Sequence, residues 1–483
     1  MNQETFNILF NFLPEITLAL TVLILNVFAN SDKNESLLAF SVFTTGVILS
    51  VLFSYAQAFY APQQLLGGVF SSDHYSYAAR VILGSVMVIS ALTFFDKRSQ
   101  PQEFTLIIVS FIGALLAVST SNIFMMFISL QVMVIPLYLL VYYELKPAIM
   151  YFIFSSLFMA VMLYGITLLY GLTGSGEYSL ISKYLSFNPF NTMILILSVI
   201  LITAGLSFIS LLAPFNLSFP LLSKTLKTGH FVQFSLINVI AVLFVLGRFI
   251  LTVLHDHNTF VSSPEEISFI SGVNWKLLLA VISVCSIIAG NLVILWQYDL
   301  KKIAAYIVIS QAGYLLLGII SGSAEGLTAF ITGIVVLSIN SLGIIFCINL
   351  INTRYSITET KGLKSLGKND KFLFLALIFF LVSSAGFPLT AGFNSKLILY
   401  SLPNLENYFW LLASGIISSI IFLFFIFRLS VVIFAGKNPL DSPKIGTLPL
   451  IFLLFLLFSA IFFSIFVSPL LNWAKYCSNL SGI

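Results

Sequence analysis

The stretch from residue 371 to residue 400, KFLFLALIFFLVSSAGFPLTAGFNSKLILY, combines a membrane-length apolar run with a lysine near its end. As one straight helix it would measure about 45 Å, more than a hydrocarbon core of about 30 Å requires. Gly386, Pro388 and Gly392 lie inside the stretch, and both residue types disfavour a continuous helix. The sequence therefore predicts a transmembrane helix that is interrupted near the middle of the membrane, with Lys396 beside the interruption.

Comparable apolar segments recur along the whole chain. Of the 483 residues, 59% are hydrophobic and 8% are charged, whereas a soluble chain carries about 25% charged residues. This composition excludes a soluble protein and predicts an all-α integral membrane protein with one polytopic domain, residues 1–483. About fourteen segments are long enough to cross a bilayer as helices. They are 5–29, 36–60, 76–95, 104–120, 121–143, 148–172, 190–215, 227–255, 275–296, 302–320, 326–352, 371–400, 407–435 and 447–473.

The distribution of basic residues predicts the orientation in the membrane. Sixteen of the 22 lysines and arginines lie in loops that follow odd-numbered segments, whereas the loop around Asp256, Glu265 and Glu266 is acidic. By the positive-inside rule, loop 353–371 faces the cytoplasm or matrix and loop 256–270 faces the other side, as do both termini. The first segment contains Glu15 and has no basic region before it, so we expect it to be retained as a helix.

Two interrupted helices are candidates for function. Lys396 beside a broken helix is typical of an ion or proton site within the membrane; the alternative is a lysine that extends to the interface. Pro214 and Pro220 in SLLAPFNLSFP (210–220) predict a second interruption, in the seventh segment. A simple packing kink would also account for one proline.

Motifs of soluble enzymes are absent from the sequence. Gly174 and Gly176 lack the third glycine and the preceding strand of a dinucleotide-binding turn. His255 and His257 flank Asp256, where a solvated turn is favoured over a metal site. We therefore expect neither a cofactor nor a metal in this chain.

Five short motifs occur in order along nearly the whole chain. They are LPEI (13–16), SSDHYSY (71–77), APF (213–215), DLKKIAAYIVISQAGY (299–314) and AGFPLTAGFNSKLILY (385–400). With the fourteen segments, they resemble the antiporter-like membrane subunits of respiratory complex I, NADH:ubiquinone oxidoreductase, and most closely its subunit 2 type.

The resemblance implies an antiporter-like fold with discontinuous helices 7 and 12, and a role in coupling NADH oxidation to proton transport. It also implies that NADH, FMN, iron-sulfur clusters and ubiquinone bind in other subunits. The expected partners are other membrane-arm subunits and lipids, with no nucleic acid. The 49 phenylalanines suit an AT-rich organellar gene, which predicts the mitochondrial inner membrane; the alternative is a bacterial plasma membrane.

The resemblance also locates the family's proton-relay positions, and most of them have lost their ionisable residue. Ser129 stands at the glutamate position of the fifth helix, and Ile209 and Val239 stand at the lysine positions of the seventh and eighth. Gln311 replaces a histidine, so only Lys396 matches its ionisable counterpart.

These departures leave two interpretations within the family and one outside it. The favoured one is a membrane-arm subunit whose own proton path is impaired. The second is a path rewired through Lys396, Gln311, Asn238, Ser210 and water. The third is a stand-alone fourteen-helix transporter, such as a cation/proton antiporter or a lipid-linked sugar exporter, which should show intramembrane carboxylates or an arginine-lined cavity.

Overall fold

The computed structural model describes residues 3–27, 36–57, 62–94, 100–141, 145–188, 190–215, 219–254, 275–364, 370–402, 408–434 and 446–478. Nearly all of its regular structure is helical, so the predicted all-α membrane class is confirmed. The helices are α1 Gln3–Asn11, α2 Leu13–Val27, α3 Ser36–Gln57, α4 His74–Phe94, α5 Pro101–Val118, α6 Ile123–Leu140, α7 Leu145–Thr173, α8 Tyr178–Phe187, α9 Thr192–Ile209, α10 Phe219–Ser223, α11 Thr228–Val232, α12 Asn238–Val253, α13 Trp275–Ile294, α14 Leu300–Ile320, α15 Ala324–Tyr355, α16 Lys371–Ala385, α17 Ala391–Tyr400, α18 Phe409–Phe434, α19 Thr447–Ile465 and α20 Val467–Cys477.

Each of the fourteen predicted segments coincides with a helix or a pair of helices. Within the described ranges, eleven helices are individually long and apolar enough to cross a membrane, and the pair Pro449–Ile465 and Val467–Cys477, bent by 84°, would make twelve. Two shorter apolar helices, α2 and α16, correspond to the first and twelfth predicted segments. The count of uninterrupted spans is lower than fourteen because these segments are broken into pieces.

By internal contacts, the chain divides into two compact units. The first comprises residues 1–210, 237–279 and 476–483, and the second comprises residues 211–236 and 280–475. Organisation as one polytopic domain stays a prediction.

Three loops of the first unit, which the positive-inside rule assigns to the side opposite the cytoplasm or matrix, are joined by backbone hydrogen bonds. A two-stranded antiparallel hairpin, β1 Gln63–Leu65 and β2 Phe70–Ser72, was not anticipated. Isolated bridges link Phe70 to Thr120 and Asn122 to Glu177. These contacts place the loops that follow α3, α5 and α7 at one end of the unit, as the alternation of loops requires.

Both predicted interruptions are present. After α9 ends at Ile209, Leu211 adopts a positive φ of 63° and the Ala213–Pro214 peptide is cis. The main-chain N–H of Ala213 donates to Ser286 Oγ at 3.0 Å, so a side chain of α13 replaces a helical acceptor. The predicted break in the seventh segment is confirmed, and Pro220 lies within the short helix α10 beyond it.

The interruption of the twelfth segment extends from Gly386 to Thr390. Gly386 has a φ of 82°, a conformation that glycine tolerates best, and it ends α16. Thr390 then caps α17 by accepting the N–H of Phe393. Gly392 lies where an added Cβ would be only 1.7 Å from the Ser383 carbonyl oxygen. Glycine is therefore required for the two halves to approach each other.

Candidate functional site

Lys396 lies in the second turn of α17, the helix that follows the break, and it is 6% exposed. Its Nζ donates to the Ala385 carbonyl oxygen at 3.0 Å and to Ser419 Oγ at 3.1 Å. The Ala385 carbonyl is at the end of α16, where carbonyl groups lack helical partners. The broken helix thus supplies an acceptor for the lysine, and Lys396 does not extend to an exposed interface.

An aromatic ring completes the surroundings of the ammonium group. Nζ of Lys396 is 4.0 Å from the centroid of the Tyr314 ring, a cation–π distance. The Tyr314 hydroxyl donates to the Gly415 carbonyl at 2.8 Å and lies 3.0 Å from Ser419 Oγ. Among the described residues, no carboxylate forms an ion pair with Lys396. The described partners of the lysine are the Ala385 carbonyl oxygen, Ser419 Oγ and the Tyr314 ring, all of which are neutral.

A small polar cavity adjoins the lysine. The centre of a water molecule can occupy a volume of about 20 Å³ inside it, which is enough for one water. Gln311 lines it and donates to the Ser384 carbonyl oxygen at 2.9 Å. Asn340 Oδ1 and Ser341 Oγ, also at the cavity, are buried without a hydrogen-bond partner. Because buried polar atoms without partners are costly, this cavity is a suitable place for ordered water.

The predicted relay positions of the first unit are all buried. Ile209 is 2% exposed, Val239 is fully buried, and Ser129 is 1% exposed with its hydroxyl unpartnered. Ser210 donates to the Leu206 carbonyl oxygen of its own helix, and Asn238 Oδ1 has no partner. Of the residues predicted from the sequence, Gln311 and Lys396 are brought together around one cavity.

Sequence reasoning missed one titratable group in the eighth segment. His230, on α11, is 1% exposed and belongs to the second unit, as Lys396 does. A π-helical turn, Gln233–Ile237, follows it and joins α11 to α12. π turns inside helices are frequent at functional sites, so in the structure this turn points to the histidine. The sequence alone gives no signal for such a turn, and His230 was therefore not predicted.

Two buried ion pairs in the first unit also escaped the sequence analysis. Arg80 donates to Glu15 at 2.8 Å, and Arg248 donates to both carboxylate oxygens of Asp73, at 2.6 and 3.0 Å. LPEI and SSDHYSY each contribute one carboxylate. The loop 256–270, with His255 and His257, lies outside the described residues.

Two interrupted apolar helices, with a buried lysine after the second break, are typical of an antiporter-like membrane subunit. The fold is shared with a chain of an archaeal membrane-bound sulfane sulfur reductase, a respiratory membrane complex, with a TM-score of 0.84 and 20% identity over 97% of this chain and 96% of that one. It is shared also with a chain of respiratory complex I from Thermus thermophilus, with a TM-score of 0.75 and 21% identity over 96% and 99% of the two chains.

The profile of the family described as "NADH:quinone oxidoreductase/Mrp antiporter, TM" matches residues 120–422. The chain therefore belongs to this family. NADH-quinone oxidoreductase subunit N 2 of Chloroherpeton thalassium is 28% identical over 98% of this chain and 94% of its own length. The resemblance to antiporter-like subunits of complex I is confirmed.

Proposed function

We propose that this chain is a membrane-arm subunit of a proton-translocating NADH-quinone oxidoreductase in a bacterial plasma membrane. The full-length similarity to a bacterial subunit N supports this assignment, and it favours the plasma membrane over the mitochondrial inner membrane. NADH, FMN, the iron-sulfur clusters and the quinone bind in other subunits. The chain forms part of the membrane arm, which is coupled to the redox chemistry of the other subunits.

We further propose that proton transfer through the first unit is impaired. The observation that carries this proposal is the burial of Ser129, Ile209 and Val239 at the three relay positions. A relay requires groups that alternately gain and lose a proton near the operating pH, and none of these side chains does so. Moving a bare charge across a low-dielectric region costs several kcal/mol or more.

A second candidate function keeps a proton site in the second unit. Lys396, Gln311 and the unpartnered Asn340 and Ser341 surround a cavity that accommodates water, and His230 is a further titratable group of the same unit. These observations favour a rewired path. They require that water connects the groups, and proton transfer would then depend on Lys396.

The assembly proposal is tested by purifying the affinity-tagged chain from native membranes in a mild detergent. We expect it in a large complex that oxidises NADH with a quinone acceptor and whose other subunits are identifiable by mass spectrometry. Recovery of the chain alone, with cation/proton exchange activity in vesicles and no NADH oxidation, would instead establish a stand-alone antiporter.

A further inference from the structure

The second unit contains a larger cavity at the end of its helices where basic residues collect. The centres of water molecules can occupy a volume of about 100 Å³ inside it, so the cavity has room for several waters. Lys224, after α10, and Lys301, in the first turn of α14, line it. Both lysines lie in or beside loops that the positive-inside rule assigns to the cytoplasmic side. The cavity thus lies at the cytoplasmic ends of the spans.

The polar part of this cavity is arranged to receive an anion. Lys301 Nζ donates to the Leu226 carbonyl oxygen at 2.5 Å, which fixes the ammonium group at the cavity and leaves further N–H groups to donate. Thr228 Oγ1 donates to Asn349 Oδ1 at 2.9 Å, so the Asn349 amide nitrogen remains a donor.

One carboxylate, that of Asp299, also lines the cavity. Its Oδ1 accepts the main-chain N–H groups of Lys301 and Lys302 at 3.0 and 3.2 Å, as the N-cap of α14. The negative charge is therefore engaged by the positive end of the helix. The cavity thus has two ammonium groups and one carboxylate that is already hydrogen-bonded. Its net charge is positive and attracts anions.

Most of the remaining lining of the cavity is apolar, with Asn352 and Thr358 as its further polar residues. Its apolar side chains come from α11, α14, α15 and the segment that follows α15: Phe231, Leu300, Ala304, Ile345, Ile348 and Ile357. A free inorganic anion gains nothing from these contacts, and a purely apolar molecule gains nothing from the lysines. The combination matches an amphipathic anion.

We propose that this cavity binds an anionic phospholipid of the cytoplasmic leaflet, with its phosphate near Lys224 and Lys301 and its glycerol and upper acyl chain against Phe231, Ile345 and Ile348. Basic pockets between transmembrane helices on the cytoplasmic side are suited to anionic headgroups. The proposal does not depend on proton conduction by this chain. It requires only that the helices span a membrane with the predicted orientation.

The test uses the whole purified complex in phosphatidylcholine vesicles that contain increasing fractions of a photoreactive phosphatidylglycerol. Cross-linked peptides are identified by mass spectrometry. We expect cross-links within residues 345–358 and 224–231, with a half-saturating fraction that rises about fivefold in Lys301→Gln, as the loss of one basic residue near anionic lipid predicts. Lys224→Gln, at an exposed side chain, should shift it similarly without affecting folding.

Lys302→Gln is the matched control, because Lys302 is the next residue on the same helix turn and does not line the cavity. Its half-saturating fraction should equal that of the wild type, and Lys301→Arg should restore binding. Equal shifts of the half-saturating fraction in Lys301→Gln and Lys302→Gln would show that the effect comes from general surface charge, and would overturn the proposal. Competition by phosphatidylcholine as strong as that by phosphatidylglycerol, or displacement by inorganic phosphate, would also overturn it.

Discussion

Arg80 donates from Nη2 to Glu15 Oε1 at 2.8 Å, joining α4 to α2 across 65 positions of sequence. The two side chains are only 5% and 7% exposed. The guanidinium group also donates to the Asn11 carbonyl oxygen, to Gln57 Oε1 and to Ser119 Oγ. One arginine therefore satisfies four acceptors from four parts of the first unit.

We predict that Arg80→Met destabilises the protein more than Glu15→Gln. Methionine would leave all four acceptors without their donor, and removal of one partner of a buried ion pair typically costs about 3–5 kcal/mol. Glutamine at position 15 retains an acceptor for Arg80, whose three neutral acceptors remain. The measurement is the temperature at which each purified complex loses its monodisperse elution peak.

Lys183→Met is the control for loss of a charge, because Lys183 is exposed on α8 of the same unit. It should elute and melt like the wild type. If Arg80→Met melted no lower than Lys183→Met, the network around Arg80 would contribute little to stability.

The close approach at Gly392 gives a second prediction. Gly392→Ala should lower thermal stability or prevent assembly, because its methyl group would meet the Ser383 carbonyl oxygen at 1.7 Å and the backbone of α16 would have to move. In Gly171→Ala, the added methyl group has no neighbour within 4 Å among the described residues, and alanine raises helix propensity by about 1 kcal/mol. The two substitutions should thus have opposite signs in the same melting assay. A neutral Gly392→Ala would contradict the described geometry of the break.

The sequence was sufficient for features that depend on local composition. Apolar length located every span, and Gly386, Pro388 and Pro214 located both interruptions, because helix formation within lipid is governed by nearby residues. The Arg80–Glu15 and Arg248–Asp73 pairs could not be predicted from their positions, since a partner far away in sequence is chosen by tertiary packing. For the same reason, Tyr314 and Ser419 were not recognised as neighbours of Lys396.

The orientation of the loops can be tested directly. Ser365→Cys should react with a membrane-impermeant maleimide only from the cytoplasmic side, and Ser263→Cys only from the opposite side, because basic loops stay on the cytoplasmic face. Wild-type protein provides the background, since Cys347 and Cys477 are buried and Cys285 is half-buried. Labelling of both engineered cysteines from the same side of sealed vesicles would refute the predicted orientation.

The proton path gives the prediction with the greatest consequence for function. If transfer through this chain is impaired, Lys396→Met should leave the number of protons moved per NADH unchanged in the assembled complex. Ser129, Ile209 and Val239 offer no titratable group in the first unit, so loss of the remaining lysine would interrupt a path that is already inactive. Methionine has a similar length and no charge, and it removes the hydrogen bonds to Ala385 and Ser419. Any fall in activity should then follow the amount of complex assembled.

The measurement compares wild type and Lys396→Met in sealed vesicles, recording proton uptake and NADH oxidation together, with Lys302→Met as a control for loss of a lysine at the membrane surface. A ratio that is unchanged in both variants supports an impaired path. A Lys396→Met complex that assembles and oxidises NADH normally, yet moves fewer protons per NADH than the Lys302→Met complex, would establish the rewired path through Lys396. In that case Lys396→Arg, which keeps a charge but does not release its proton at ordinary pH, should also lower the ratio.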